Sequence, residues 1–119
     1  MKQVGMISSQ VINVLGLNIP VDTPIFIGAS NITHMQNSHP ADYAKYGASI
    51  PDILSSPDYV GINPTDNSIE YVKEYKIDNE FVKVAVRVSG GGNLYARSIY
   101  ILNNNRTQNF IARGTLKKI

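Results

Sequence analysis

The chain has 119 residues, 43% hydrophobic and 17% charged, which are ordinary values for one globular domain, and its net charge at pH 7 is only +2. It has no cysteine, which excludes disulfides, thiolate metal sites and thiol nucleophiles. No apolar run approaches the roughly 18 residues needed to cross a bilayer, and polar residues interrupt the N-terminal stretch where a signal peptide would need its apolar core. We therefore expect a single cytoplasmic domain spanning residues 1–119.

The first half of the chain, about residues 1–62, is predicted to be mainly helical. Apolar residues at helical spacing predict an amphipathic helix over residues 3–15 that Gly16 ends. A short strand over 24–27 follows and stops at Gly28. Proline, capping and glycine signals then predict three brief helical segments: a turn that begins at Ser30 or Asn31 and carries Thr33 and His34, a helix over 40–46 with Gly47 at its end, and a helix over 51–55.

The second half, about residues 63–119, changes to the period of two that is typical of strands. Three runs alternate in this way, and a fourth strand is predicted over 110–116. The connections Asp78-Asn79 and Gly90–Gly92 suit tight hairpins, so the runs should pair antiparallel. The sequence therefore predicts an α+β fold in which N-terminal helices pack on a C-terminal antiparallel meander with strands Ile69–Lys76, Phe81–Val88 and Leu94–Ile101.

The second predicted strand separates apolar from charged side chains. Its four valines point to one face, here called the valine face, which the helices should bury; the other, here called the cationic face, presents Phe81, Lys83, Ala85 and Arg87. A two-residue turn at 78–79 places Glu74 opposite Lys83 and Glu70 opposite Arg87. A four-residue loop at 89–92 adds Ser98 opposite Lys83 and Tyr100 opposite Phe81, whereas a slip of one residue would put Tyr95 and Arg97 there instead.

Charge is distributed unevenly along the chain. Residues 1–68 hold two lysines against five aspartates, a net charge of −3, and residues 69–119 hold nine basic against four acidic residues, a net charge of +5. A basic half suits a phosphate-rich partner. Singly, each Glu–Lys or Glu–Arg pair is read as a solubilising surface contact.

The two histidines of the chain, His34 and His39, lie five residues apart. Imidazole suits proton transfer near neutral pH, and RNA cleavage needs a base, an acid and cations for the phosphorane. A zinc site is disfavoured, because it needs another ligand and helical pairs usually fall at a spacing of four. The alternative is structural: His39 as a capping residue before Pro40 and His34 as a hydrogen-bonded residue at the sheet edge.

The order of these elements resembles a known nuclease superfamily. A histidine-bearing helical segment, a Pro-Asp step and a meander with basic and hydroxyl residues are similar to the phage-associated members of the barnase, EndoU, colicin and RelE-like superfamily, often called PBECR. The resemblance covers most of residues 20–116, through these segments: Ile25-Phe26-Ile27, Ile32-Thr33-His34, His39-Pro40, Tyr43, Ile50 to Leu54, Pro57 to Gly61, Lys73, Val84 to Arg87 and Arg97 to Tyr100.

That resemblance implies an endoribonuclease of phages, mobile elements or toxin systems that works without metal or other cofactor. It implies acid–base catalysis by His34 and His39 and a cation at Arg87 that contacts the phosphate or stabilises the transition state. It also implies a catalytic, orienting hydroxyl at Ser98 and substrate binding by Lys73, Arg97 and Tyr100, and the place of Lys83 on the cationic face makes it a further candidate for substrate binding. The strand alternation, however, turns Lys73 towards the valine face. The implied partners are RNA, with tRNA among the candidates, and an antitoxin or immunity protein. The alternative is a non-catalytic module of the same fold that binds RNA or such a protein.

Overall fold

The structure, a computed structural model, describes residues 1–119 and confirms an α+β fold. The elements in chain order are β1 (Lys2–Met6), α1 (Ser9–Leu15), β2 (Pro24–Ile27), α2 (Ala29–Ser38), α3 (Pro40–Tyr46), a 3₁₀ turn (Gly47–Ser49), α4 (Ile50–Ser55), β3 (Tyr59–Ile62), β4 (Ile69–Tyr75), β5 (Glu80–Val88), β6 (Leu94–Leu102), α5 (Asn104–Ala112) and β7 (Leu116–Lys118). Helices and strands are interspersed, so the predicted order of helices first and sheet second is wrong. No helix has the length and apolar character that crossing a membrane requires.

All seven strands form one mixed sheet in the order β1-β2-β6-β5-β4-β3-β7. Every neighbouring pair is antiparallel except β2 and β6, which run parallel. The sequence predicted β2 and the central meander β4-β5-β6. It did not predict β1, β3 and β7.

The two faces of the sheet are covered unequally. The main core lies on the valine face, where Val82, Val84 and Val86 pack with buried residues of α1, α2 and α4 such as Val11, Met35 and Ile53. A second, smaller core lies on the cationic face, because α5 places Phe110 and Ile111 against a cluster of three buried residues, Val72, Phe81 and Leu116. One end of the cationic face is therefore roofed by α5, and the rest faces solvent.

The two ends of the chain differ most from the predicted elements. The helix predicted over 3–15 begins only at Ser9, where the Ser8 side chain accepts a hydrogen bond from Val11 N, and residues 2–6 form an edge strand instead. The predicted strand over 110–116 is also wrong. Asn103 caps α5 by accepting from Arg106 N, so the chain from Asn104 onward forms a helix where the strand was expected to begin only a few residues later.

The register between β4 and β5 is shifted by two residues from the predicted one. Tyr75 pairs with Glu80, which leaves a four-residue turn with Ile77 at its exposed tip. A two-residue turn of the favoured type needs positive φ at both central residues, and only Asn79 has it, at 53°. Glu70 therefore faces Ala85 rather than Arg87. Val72, rather than Glu74, faces Lys83.

A β-bulge at Arg97 sets the register between β5 and β6. Val88 pairs with Leu94 rather than with Asn93, and the pairing shifts by one residue between Val86–Ala96 and Ala85–Ser98. Lys83 consequently faces Tyr100, and Arg87 faces Tyr95. The bulge thus puts Ser98, Tyr100 and Tyr95 all on the cationic face, which neither predicted register did.

The helices α2 and α3 lie along an edge of β6. The strand β2 pairs with β6 only at Ile25–Leu94 and Phe26–Tyr95, after which the chain leaves the sheet as α2. Further along this edge, an Asp42 carboxylate oxygen in α3 accepts a hydrogen bond from the Ile101 backbone N–H at 3.1 Å. This contact fixes the α2–α3 junction, and with it His39, beside the cationic face.

Candidate functional site

A buried ion pair is the centre of the cationic face. Lys83 Nζ donates to Glu70 Oε2 at 2.6 Å, and both side chains are only 10% exposed. The two residues are diagonal neighbours, because Glu70 pairs with Ala85 and Lys83 with Val72. Asn63 Nδ2, from the loop after β3, donates to the same carboxylate oxygen at 3.4 Å.

The ammonium of Lys83 is held in its charged form. Burial alone would lower its pKa, but the hydrogen bond to the Glu70 carboxylate and the adjacent Tyr100 side chain outweigh burial, so the pKa lies above its ordinary value. At neutral pH Lys83 is therefore a fixed cation, able to stabilise negative charge and unable to accept a proton.

Two rings extend this centre towards the helices. The Lys83 ammonium lies 4.7 Å from the centroid of the Tyr100 ring, and the imidazole of His39 stacks on that ring with 4.8 Å between centroids. His39 is the residue between α2 and α3, and the helix junction holds it there. We call Glu70, Lys83, Tyr100 and His39 the polar cluster; it places a carboxylate, an ammonium, a phenol and an imidazole in one continuous set of contacts.

Arg87 and Ser98 continue the same face. Ser98 is half-buried opposite Ala85, one residue pair from the Lys83–Tyr100 pair, and Arg87 is exposed one pair further on. Asp66 lies close enough to Arg87 to be affected by it: hydrogen bonding to Ser68 lowers the Asp66 pKa, and the charges of Arg87 and Lys83 lower it further. Arg97 is exposed at the bulge.

A cavity of about 520 Å³, here called the α5 cavity, opens between the polar cluster and α5. Its floor includes three members of the polar cluster. Its opposite wall is formed by α5 and the residue that follows it, with Arg106, Phe110 and Arg113, and its rim by the loop after β3, with Asn63 and Thr65.

Two residues of the predicted site lie apart from the polar cluster. Lys73 is on the valine face at the sheet end, where its ammonium donates to Ser56 O at 2.7 Å and lies 4.0 Å from an Asp52 carboxylate oxygen. The strand alternation had predicted this orientation, and it separates Lys73 from Lys83. His34 is exposed on α2, and no side-chain hydrogen bond, ion pair or ring contact joins it to His39.

Four residues of the site lie outside the predicted set: Glu70, Arg106, Arg113 and Asn63. The predicted register makes Glu70 a surface partner of Arg87, yet a carboxylate inside the apolar run Ile69–Val72 signals a buried, paired charge. Arg106, Arg113 and Asn63 gave no such signal, because they reach the α5 cavity only through a helix and a loop whose positions depend on tertiary packing.

The family model of PBECR3, the phage-Barnase-EndoU-ColicinE5/D-RelE like nuclease3 family, matches residues 2–109 of this chain. The chain belongs to this family. No curated protein and no solved structure matches it. Membership in a nuclease family implies a nucleic-acid substrate, and the predicted relationship to this PBECR3 family is confirmed.

The PBECR3 match extends over both the helices and the meander, so it includes all four residues of the polar cluster. It stops before Phe110 and Arg113 in the α5 wall. The structure contains no group of three or more His, Cys, Asp or Glu side chains placed to share a metal ion.

Proposed function

We propose that this PBECR3 protein is an endoribonuclease that cleaves RNA without a metal ion. The 2′-hydroxyl attacks the neighbouring phosphate, which gives a 2′,3′-cyclic phosphate and a 5′-hydroxyl. The observation that carries the proposal is the polar cluster, because the reaction requires a proton acceptor, a proton donor and a cation around one phosphate, and the cluster supplies all three beside the α5 cavity.

The roles follow from the chemistry of each group. An ionised carboxylate can only accept, so Glu70 takes the proton of the 2′-hydroxyl, and a protonated imidazole can donate, so His39 delivers a proton to the leaving 5′-oxygen. Lys83, whose charge is fixed, stabilises the extra negative charge of the transition state. Tyr100 keeps the imidazole and the ammonium in position, since it contacts both.

This assignment gives Lys83 the role that the family resemblance implied for Arg87. Arg87 lies two residue pairs further along the face and is exposed, which suits contact with the RNA backbone beside the cleaved bond, together with Ser98 and Arg97. His34 has no role in the proposed chemistry, because it lies outside the polar cluster.

The first test is incubation of the purified protein with single-stranded RNA and with tRNA in excess EDTA. We expect cleavage, with products that end in a 2′,3′-cyclic phosphate, and no cleavage where a single 2′-deoxy nucleotide replaces the one that would attack. Cleavage that appears only after addition of a divalent metal, or products with a 5′-phosphate, would contradict the proposed mechanism.

The second test compares two positions of the helical segment. His39→Ala should lower kcat by about 100-fold or more, the usual loss when a general acid is removed. Gln36→Ala, a change on the exposed surface of α2, is the control and should leave the rate unchanged. A loss in His34→Ala as large as that in His39→Ala would contradict the assignment of the donor to His39.

A further inference from the structure

The wall of the α5 cavity carries positive charge that the proposed chemistry does not use. Arg106 and Phe110 in α5 and Arg113, the residue that caps its C-terminal end, follow one another at spacings of four and three residues, so their side chains lie on one side of the helix. Both guanidinium groups lie over the Phe110 ring, with their central carbons 5.9 and 5.7 Å from its centroid.

Neither guanidinium is neutralised within the protein. The ion pairs of the structure involve Lys45, Lys73 and Lys83, and no carboxylate reaches Arg106 or Arg113. Arg113 Nε donates to Asn109 O at 3.4 Å, which leaves its two terminal nitrogens free. The one carboxylate in the lining of the cavity, Glu70, is already paired with Lys83.

The ring between the two arginines limits their freedom. Phe110 is half-buried in the small core with Val72 and Phe81, so its position is fixed by packing. Arginine side chains that lie over a fixed aromatic ring lose less entropy when they bind an anion than side chains that extend freely into water. The result is a preorganised pair of cations on the side of the cavity opposite the Glu70–Lys83 pair.

We infer that Arg106 and Arg113 form a phosphate clamp for the single-stranded RNA segment next to the cleaved bond. The inference rests on the proposed ribonuclease function for the identity of the ligand. A forked guanidinium matches phosphate oxygens in a two-point contact, and the cavity supplies polar groups at its rim, Asn63 and Thr65, for the attached sugar or base. The PBECR3 match ends at residue 109, so it does not account for Arg113 or for the ring that supports the pair.

The size of the site favours a single strand over a duplex. A cavity of about 520 Å³ is in the range of small-molecule pockets, which holds one unstacked nucleotide but is too small to enclose a double helix. Proteins that recognise RNA through base and sugar contacts mostly do so on unpaired nucleotides. The clamp therefore predicts a preference for unpaired segments.

The test measures binding rather than cleavage, so it does not depend on the proposed chemistry. The probe is a fluorescein-labelled 2′-O-methyl RNA of about eight nucleotides, which covers one typical site and cannot be cleaved through its blocked 2′-oxygens. Fluorescence anisotropy gives Kd for wild type, for Arg106→Gln/Arg113→Gln and for Lys117→Gln/Lys118→Gln. The last variant is the matched control, because it removes two exposed charges from the neighbouring strand β7 that do not line the cavity.

We expect the double arginine variant to weaken binding about tenfold or more and to lower the slope of log K against log salt by about 1.4, the value for two phosphate contacts on a single strand. The double lysine variant should change Kd by less than about threefold. Annealing the probe to its complement should weaken binding to wild type. Urea midpoints of both variants close to that of wild type would show that folding is intact.

Three results would overturn the clamp. They are an equal rise in Kd in the two double variants, an unchanged Kd in the arginine variant, and tighter binding of the duplex than of the single-stranded probe. Failure of the proposed function has a different signature. A wild-type protein that binds the probe through the arginines and leaves unmodified RNA intact would refute the cleavage mechanism while the clamp stands.

Discussion

At the scale of single residues, the buried Lys83–Glu70 ion pair is not explained by a contribution to the stability of the fold. Both side chains are 10% exposed, and removing two charges from water costs several kcal/mol that their mutual attraction only partly returns. Apolar residues would suit the same place on the sheet, since Val72 and Phe81 flank it. A buried ion pair at the floor of a cavity therefore points to the requirements of the site rather than of the fold.

If this interpretation is right, replacing one member of the pair and replacing both should have different effects on the free energy of unfolding. Lys83→Met leaves the Glu70 carboxylate buried without its partner and should lower the free energy of unfolding by about 3 kcal/mol. Glu70→Met/Lys83→Met removes both charges and should recover that loss, yet cleave no RNA. Urea unfolding measures the first effect and the RNA assay the second. A double variant as unstable as the single one, or one that still cleaves, would refute the interpretation.

At the scale of elements, local sequence patterns predicted the meander, whereas strands that pair with distant parts of the chain were not predicted. The strands β4, β5 and β6 alternate with a period of two and are joined by short turns, so their signals lie within a few residues. The strand β7 has three residues and pairs with β3, more than 50 positions earlier in the chain, so nothing local marks it. Val4, Ile7 and Val11 are at helical spacing, so the sequence predicted a helix where the edge strand β1 lies. Pairing of β1 with β2 determines the extended conformation of this segment.

The contact between β3 and β7 depends on one glycine. A Cβ atom at Gly61 would lie 2.5 Å from the backbone oxygen of Thr115, which cannot rotate away as a side chain would. Gly61→Ala should therefore push β7 outward and lower the free energy of unfolding by about 1–3 kcal/mol, the usual cost of overpacking. Because Arg113 lies only two residues before Thr115, binding of the single-stranded probe should weaken as well.

The matched control for that substitution is Gly91→Ala. A Cβ atom at Gly91 meets nothing within 4 Å, and its φ is not in the left-handed region, so we expect a change within about 0.5 kcal/mol. Urea unfolding and probe anisotropy on both variants make the comparison. Equal stability and equal binding in the two variants would show that β7 can move without cost and does not support the arginine wall.

At the scale of the whole molecule, the two faces of the sheet divide structure from chemistry. The helices α1, α2 and α4 bury the valine face, and the basic second half of the chain supplies the cations of the other face. Sequence alone predicted this division and the place of Lys83 on the cationic face, whereas Ser98 and Tyr100 lay there in only one of the two registers that the sequence left open. It did not predict that α5 roofs part of this face or that a bulge at Arg97 sets the final register, because both depend on contacts formed only in the folded protein.

At the scale of the whole molecule, the ionisation of buried groups determines how the free energy of unfolding falls at alkaline pH. Burial and the hydrogen bond to Glu80 raise the pKa of Tyr46 from 10.0 to about 12, burial raises that of Tyr71, and the Glu70 carboxylate raises that of Lys83 above 10.5. Each pKa is higher in the folded than in the unfolded chain, so the folded state binds these protons more tightly. Their contribution to stability is complete below the unfolded values and disappears as the pH rises through the folded ones.

We therefore expect the free energy of unfolding to be steady in the mildly alkaline range and to fall steeply between about pH 10 and pH 12. Tyr46→Phe should be less stable than wild type at neutral pH, because it lacks the 2.7 Å hydrogen bond to Glu80. It should also lose less stability over the alkaline range, because one of the groups with a raised pKa is gone. Urea unfolding of both proteins at a series of pH values measures the two curves. Parallel curves through the alkaline range would show that the Tyr46 hydroxyl ionises as readily in the folded protein as in the unfolded chain.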